Sequence, residues 1–157
     1  MVLAYHLLTA IAVMSTGAVF GIDFFCAAVL RSALVHLDDG TLTRIMGHIH
    51  YYGDRRLMWP ALVGVASTVA TAVVSIPVNG PAGVLADVVA ALLVAAWLVV
   101  FVRVAAPVNR ALTAAARGGA PVADSRALQQ RWNNVIDLRA ALLGCVLLGL
   151  HLGVVVG

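Results

Sequence analysis

The sequence predicts an all-α integral membrane protein, an up-down four-helix bundle with a short amphipathic interfacial helix between spans one and two. Of its 157 residues, 62% are hydrophobic and 11% charged, with a mean hydropathy of +1.01, far from the averages of soluble proteins. Four apolar stretches are each long enough to cross roughly 30 Å of hydrocarbon at about 1.5 Å per residue. We expect one transmembrane domain covering residues 1–157.

The predicted spans cover residues 2–30, 57–78, 81–108 and 132–156. The fourth helix is expected to begin earlier, near the N-cap pair Asp124 and Ser125. A cleaved signal peptide is the alternative for the first stretch. That stretch is too long for a signal peptide, lacks a basic start and carries Asp23, so we expect it to span the membrane.

The first connection is expected to contain a helix over residues 41–52. Leu42, Ile45, Met46 and Ile49 recur at helical spacing there. An amphipathic segment of this kind is typical of a helix that lies on the cytoplasmic membrane surface.

The distribution of arginine predicts the orientation, because cytoplasmic connections are enriched in basic residues. The second connection, Asn79 to Gly80, contains none. We therefore expect that turn and both termini on the non-cytoplasmic side of the cell membrane. The arginines of the first and third connections are Arg31, Arg44, Arg55, Arg56, Arg103, Arg110, Arg117, Arg126 and Arg131.

The net charge of +3 does not indicate a nucleic-acid partner. A nucleic-acid binder needs clustered basic residues on a water-facing surface, whereas these arginines follow apolar runs. Cys26 and Cys145 lie within apolar segments, which is typical of free cysteines that act as small hydrophobic residues. The predicted partners are membrane lipid and a lipophilic small molecule, and a homo-oligomer is left open.

Polar residues within the spans predict which helix faces point to protein rather than lipid. One face of the second span carries Gly64, Thr68, Thr71 and Ser75, and one face of the first carries Thr9, Thr16 and Asp23. We expect a third interior face on the fourth helix, made of Asn133, Asp137, Gly144 and His151.

The candidate catalytic groups lie toward the cytoplasmic ends of the spans. An ionisable residue within a span suggests function, and a structural ion pair between Asp23 and Arg139 is the simpler interpretation. His50 is a candidate general base because histidine ordinarily titrates near neutrality. The alternative for His50 is contact with lipid headgroups. Asp137 is a second candidate base.

A separate cofactor hypothesis concerns His6 and His151, which are expected at similar depth near the outer surface. Two histidines on neighbouring helices can hold haem or copper. No third ligand type accompanies them, so the cofactor and any metal remain unknown. Trp132 is either an interfacial anchor or part of a pocket for a flat substrate.

Several motifs resemble the anthrone oxygenase-like family of four-span membrane proteins, and the resemblance covers most of the chain. They are the segment Gly47-His48-Ile49-His50-Tyr51, then Pro60, then Pro107-Val108-Asn109 closing the third span, and last Trp132 followed by Arg139 seven positions on. The usual pattern has an asparagine three residues before that arginine. This chain has Ile136 there, which puts the identity of the polar partner in question.

The resemblance implies a membrane oxygenase that oxidises an anthrone-like phenolic substrate to the quinone with O₂, in some members without a recognised cofactor. An electron-rich phenol needs a base to form an enolate and a cationic or amide group to stabilise negative charge. His50 or Asp137 would be the base, and Arg139 with Asn109 the anion stabilisers. We expect Arg139, Asn109, Trp132 and one of His50 or Asp137 to converge on a pocket in the cytoplasmic half.

Two other functions are open at this point. One is a non-catalytic accessory subunit that docks onto a larger membrane assembly through small-residue helix faces. The other is a small haem or copper membrane protein that uses His6 and His151.

Overall fold

A computed structural model describes residues 1–119 and 124–157 of the chain, and in these residues the protein is all-helical with no β-strand. We number the helices α1 (Val2–Leu34), α2 (Asp39–Arg56), α3 (Met58–Ser75), α4 (Pro81–Gly118) and α5 (Ser125–Val156). One turn within α1, Cys26–Leu30, and one within α4, Phe101–Ala105, are π-helical.

Within the described residues, four helices are long and apolar enough to cross a membrane: α1, α3, α4 and α5. The prediction of four apolar spans is confirmed at this level. The observed helices differ from the predicted spans at their ends, because α1 continues to Leu34 and α4 to Gly118. Helix α4 passes through Pro107, where we expected it to end. Its π turn lies immediately before, and such a turn already interrupts the regular hydrogen bonds that a proline would break.

Helix α2 extends beyond the predicted segment at both ends, and its start is well defined. The Asp38 side chain accepts a hydrogen bond of 2.9 Å from the backbone N–H of Thr41, the arrangement of an N-cap. Hydrogen bonds from Thr41 also hold the pKa of Asp38 below its ordinary value. The helix then packs on the C-terminal part of α4 at Gly47, where an added Cβ would overlap Leu112 and Ala116.

The four long helices contact one another in a ring, α1 with α3 and α5, and α4 with α3 and α5. Small residues mark the closest approaches. A Cβ on Gly64 of α3 would lie 2.9 Å from Thr16 Oγ1 of α1, and one on Gly149 of α5 would lie 3.1 Å from Ala90 of α4. The predicted interior face of α3 is confirmed, since Gly64, Thr68, Thr71 and Ser75 are all buried.

A polar cluster ties the helices together at the end of the molecule that contains the turn between α3 and α4. Tyr5 Oη donates a hydrogen bond of 3.0 Å to Asp87 Oδ2, and Asn79 Nδ2 lies 3.4 Å from the same oxygen. Asn79 Nδ2 also donates to the Gly153 carbonyl at 3.2 Å. These contacts join α1, α4 and α5. We refer to this end as the Asn79 end and to the opposite one as the arginine-rich end.

The predicted interior face of α5 is wrong. Asp137 and His151 are exposed and Asn133 and Gly144 are only partly buried. The buried stripe instead recurs at intervals of three and four residues and contains Trp132, Ile136, Arg139, Leu143, Val146, Leu150 and Gly153. Near a helix end a polar side chain can reach water without entering the protein interior, so polarity alone did not identify the buried face.

Candidate functional site

A cavity of about 450 Å³ lies toward the arginine-rich end and is lined by residues from all five helices. Most of its wall is apolar, and a few polar side chains converge on it. This composition is typical of small-molecule sites, which commonly measure about 300–1,000 Å³. The polar and aromatic lining residues are Asp23, His50, Asp54, Trp97, Phe101, Asn109, Arg110, Trp132 and Arg139.

Arg139 is held at the cavity by a buried ion pair. Its Nη2 donates a hydrogen bond of 2.8 Å to Asp23 Oδ1, and both side chains are almost fully buried. Trp97 Nε1 donates to the other carboxylate oxygen of Asp23 at 3.0 Å. One arginine from α5, one aspartate from α1 and one tryptophan from α4 are thus locked together, which fixes the position of the guanidinium.

Three aromatic rings surround the same guanidinium. Its Cζ lies 5.6 Å from the centroid of Trp97, 5.4 Å from that of Phe101 and 5.7 Å from that of Trp132. Aromatic faces attract cations at these distances, most strongly where water is excluded. The rings of Trp97 and Phe101 are stacked, with an interplanar angle of 13°. The result is a flat aromatic wall beside a fixed positive charge.

His50 and Trp132 form the next part of the wall. Their ring centroids are 5.6 Å apart, and each side chain is only 5% exposed. Burial, and to a lesser degree the charge of Arg139, lowers the pKa of His50 to about 4. The imidazole is therefore neutral at physiological pH and can accept a proton or a hydrogen bond.

Asn109 and Asp54 lie at the rim of the cavity. Asn109 Nδ2 donates a hydrogen bond of 2.8 Å to Asp54 Oδ1. Asn109 is buried, whereas Asp54 is exposed at the rim. Partial desolvation at this position raises the pKa of Asp54, an effect that the Asn109 hydrogen bond and nearby arginines oppose.

Four buried polar atoms on these side chains have no hydrogen-bond partner among the described residues. They are His50 Nε2, Asn109 Oδ1, Trp132 Nε1 and Arg139 Nε, and all four residues line the cavity. A buried polar atom without a partner costs about 1–3 kcal/mol, so such atoms are uncommon in a protein interior. Trp132 and Arg139 supply N–H donors, and Asn109 supplies an acceptor. An oxygen-bearing molecule in the cavity that reached these atoms would supply the missing partners, beside the flat wall of Trp97 and Phe101.

The π turn in α4 brings Asn109 onto the face of the helix that carries Trp97. At about 100° per residue, an uninterrupted α-helix would place these two side chains about 120° apart, and the residue inserted by one π turn reduces the separation to about 20°. The two π turns among the described residues begin at cavity-lining residues, Cys26 and Phe101. Such insertions are frequent at functional sites.

Comparison of the chain with models of protein families, with curated proteins and with solved structures finds no match. The resemblance to the anthrone oxygenase-like family therefore remains an expectation.

Four of the five candidate catalytic residues meet at this cavity: His50, Asn109, Trp132 and Arg139. Their convergence agrees with the expected geometry, and their catalytic roles remain predictions. Asp137 is not part of this group. It lies on another face of α5, its side chain is 64% exposed, and Arg31 Nη1 donates a hydrogen bond of 2.6 Å to it. Of the two alternatives for the base, His50 therefore lies at the cavity and Asp137 does not, because Asp137 is two positions from Arg139 and points to a different side of the helix.

His6 and His151 do not form an interior cofactor site. Both are exposed on their helices, and it is Tyr5, next to His6, that points inward. Within residues 1–119 and 124–157 there is no group of three or more histidine, cysteine, aspartate or glutamate side chains that could hold a metal ion. The haem or copper hypothesis has no structural support from these two residues.

The predicted site did not include four of the polar and aromatic lining residues: Asp54, Trp97, Phe101 and Arg110. The middle of α4 is almost uniformly apolar, and an aromatic residue in such a segment gives no sign of whether it faces lipid or protein. The spacing of four between Trp97 and Phe101, and of four between His50 and Asp54, was the available signal, since residues four apart share a helix face.

Proposed function

We propose that this protein is a multi-pass membrane oxygenase that oxidises a lipophilic, anthrone-like phenolic molecule with O₂ in the cavity around Arg139. In this proposal α1, α3, α4 and α5 form an up-down bundle across the membrane, with the Asn79 end outside and the arginine-rich end cytoplasmic. The apolar outer surfaces of these helices support the membrane location. The placement of arginine along the chain supports the orientation.

The observation that carries the proposal is the set of unpartnered buried atoms on Arg139, Trp132, Asn109 and His50. A flat phenol or aryl ketone would lie against Trp97 and Phe101 and direct an oxygen toward the N–H groups of Trp132 and Arg139. These two donors are fixed by packing and by the Asp23 ion pair before any ligand arrives. Preorganised donors in a water-excluded site stabilise an oxyanion much more strongly than mobile ones in water.

The reaction converts the methylene of an anthrone to a carbonyl and reduces O₂ to water. A base removes one C–H proton and leaves an enolate, whose negative oxygen is stabilised by Arg139 and Trp132. The enolate gives its electrons to O₂ and forms a C–O bond, yielding a peroxide. Loss of the second C–H proton with cleavage of the O–O bond leaves the carbonyl and releases water.

His50 is the residue we assign as the base. Its Nε2 atom has no partner among the described residues, His50 lines the cavity, and its low pKa keeps it in the proton-accepting form. A low pKa also makes it a weak base. The neighbouring Arg139 offsets this weakness, because it makes the substrate C–H more acidic by stabilising the enolate. Asp54, at the rim beside Asn109, is positioned to pass the proton to solvent.

The test measures O₂ consumption and quinone formation by the purified protein in detergent with an anthrone as substrate. Trp132→Phe removes one unpartnered donor and keeps an aromatic ring, and should lower kcat/KM by about 100-fold, as expected for loss of an oxyanion donor. Trp59→Phe is the matched control, since Trp59 is 65% exposed and lies outside the cavity. It should retain full activity.

Heat-denatured protein gives the rate of spontaneous anthrone oxidation. Turnover no faster than that rate, with a folded protein and several anthrones, would exclude the proposed reaction. Equal activity of Trp132→Phe and Trp59→Phe would place the chemistry elsewhere. A visible absorption spectrum of the same sample reports whether a coloured cofactor is bound.

A further inference from the structure

A second concave site lies at the arginine-rich end, between α2 and the C-terminal part of α4. This cleft has a volume of about 570 Å³, and four of its eight lining residues are charged. It adjoins the cavity described above, because Asp54 and Arg110 line both. The residues that define the cleft are Tyr51, Asp54, Arg55, Arg110, Thr113 and Arg117.

The guanidinium groups of two of these arginines lie over the same aromatic ring, that of Tyr51. The guanidinium carbon of Arg55 lies 4.2 Å from the Tyr51 ring centroid, and that of Arg117 lies 5.1 Å from it. Arg55 Nη1 also donates a hydrogen bond of 2.6 Å to Tyr51 Oη. One of these arginines comes from α2 and the other from α4, so the packing of two helices concentrates like charges in one place.

The positive charge of the cleft is not neutralised within the described part of the chain. Arg55, Arg110 and Arg117 form no salt bridge there, whereas Arg31, Arg126 and Arg139 each do. The single carboxylate of the cleft, on Asp54, accepts its hydrogen bond from Asn109. Three arginines around one carboxylate leave an excess of positive charge that favours an anionic ligand.

We infer that this cleft binds the phosphate group of an anionic phospholipid. Guanidinium groups present paired N–H donors that match phosphate oxygens. Arg110 and Arg117 follow the apolar part of α4, at the level where lipid phosphates lie if α4 crosses the membrane, and basic residues at that level attract anionic lipids. The inference rests on the membrane location proposed above and is independent of the oxygenase reaction. The cleft exceeds the size of a phosphate ion, which leaves room for the attached glycerol.

The experiment measures lipid binding to the full-length protein in neutral detergent, by thermal unfolding during titration with phosphatidylglycerol. Phosphatidylcholine, whose phosphate charge is balanced by its choline cation, is the zwitterionic reference, and glycerol 3-phosphate is the soluble one. We expect a higher Tm with phosphatidylglycerol and little change with the other two. An equal response to phosphatidylcholine would overturn the inference. An equal response to glycerol 3-phosphate would overturn the assignment to lipid.

Variants then locate the site. The double variant Arg110→Gln with Arg117→Gln should weaken phosphatidylglycerol binding at least ~10-fold. The control is Arg103→Gln with Arg131→Gln, which removes the same charge from exposed positions outside the cleft and should bind nearly as the native chain does. Equal weakening in both double variants would mean that binding depends only on the net charge of the protein, which would refute the site. Arg117→Lys keeps the charge and loses the paired donors, so binding should weaken although no charge changes.

The readout separates this inference from the proposed function. A protein that binds phosphatidylglycerol through the cleft but does not oxidise anthrones would refute the oxygenase proposal alone. A protein that oxidises anthrones and shows no preference for phosphatidylglycerol would refute the lipid site alone.

Discussion

Arg139 and Asp23 form a buried ion pair of 2.8 Å that joins α5 to α1 beside the cavity. The pair has a structural role, since an isolated charge in this interior would be costly. Arg139 also lines the cavity, and its Nε has no hydrogen-bond partner among the described residues, so a second role toward a ligand is open to it. The two roles make different predictions for single and paired substitutions.

Arg139→Gln should destabilise the protein by about 3–5 kcal/mol, because it leaves the Asp23 carboxylate buried without its cation. Combining it with Asp23→Asn should recover most of that loss, since the paired amides are neutral and the asparagine can still accept from Trp97. Unfolding by SDS titration gives the free energies. Additive losses in the double variant would show that the pair does not couple energetically. Anthrone turnover by the recovered double variant would show that Arg139 is not the anion stabiliser.

The buried neutral state of His50 predicts a stability change in acid. Its pKa is about 4 in the fold against an ordinary value of 6.5, so the unfolded chain binds the proton more readily. The free energy of unfolding is therefore highest above about pH 6.5. It falls by about 3 kcal/mol in all as the pH drops toward 4. His50→Phe should flatten the dependence of Tm on pH in this range. His48→Gln, at an exposed position, should leave it unchanged. An unchanged profile in His50→Phe would mean that His50 titrates normally.

The fold class was predictable from the sequence because it depends on the amount of apolar sequence and its interruptions. Four stretches long enough to span a bilayer, separated by a two-residue turn and by arginine-containing segments, leave few alternatives to four long helices. Helix ends were less predictable. Helix α1 continues to Leu34 and α4 passes Pro107, since extending an existing helix is nearly neutral in free energy: each added hydrogen bond offsets the entropy lost by ordering one more residue.

The cavity was predictable only in part. Arg139, Asn109, Trp132 and His50 could be placed together because topology brings the ends of their helices to the same level. The π turn that rotates Asn109 toward Trp97 has no recognisable signal in Phe101–Ala105, and periodicity without that turn places Asn109 on another face. Asp137 was misplaced because both lipid-facing and protein-facing sides of a span are apolar. A polar residue near a helix end is therefore compatible with either side.

Gly153 provides a test of helix packing at the Asn79 end. An added Cβ at this position would overlap the carboxylate of Asp87, which is fully buried. Gly153→Ala should therefore destabilise the protein by about 1–3 kcal/mol, the usual cost of added volume in a close-packed interior.

Gly17→Ala is the matched control within α1, because a methyl group added there would meet no atom within 4 Å. Alanine there should be neutral or stabilising by up to about 1 kcal/mol, as alanine is the better helix former. Equal effects of the two substitutions would contradict the observed approach of α5 to α4.

The proposed orientation is tested at the two ends of α4. Gly80 precedes the helix and Gly118 ends it, and an added Cβ meets no atom within 4 Å at either position. Gly80 is preferable to Asn79 for this purpose, because the Asn79 side chain bonds to Gly153.

Cysteine is introduced at one position at a time after the native cysteines are replaced by alanine. Gly80→Cys should react with an impermeant maleimide in intact cells, and Gly118→Cys only after lysis, because the arginine-rich end is expected in the cytoplasm. The reverse pattern would invert the topology, and labelling of both positions in intact cells would show that α4 does not cross the membrane.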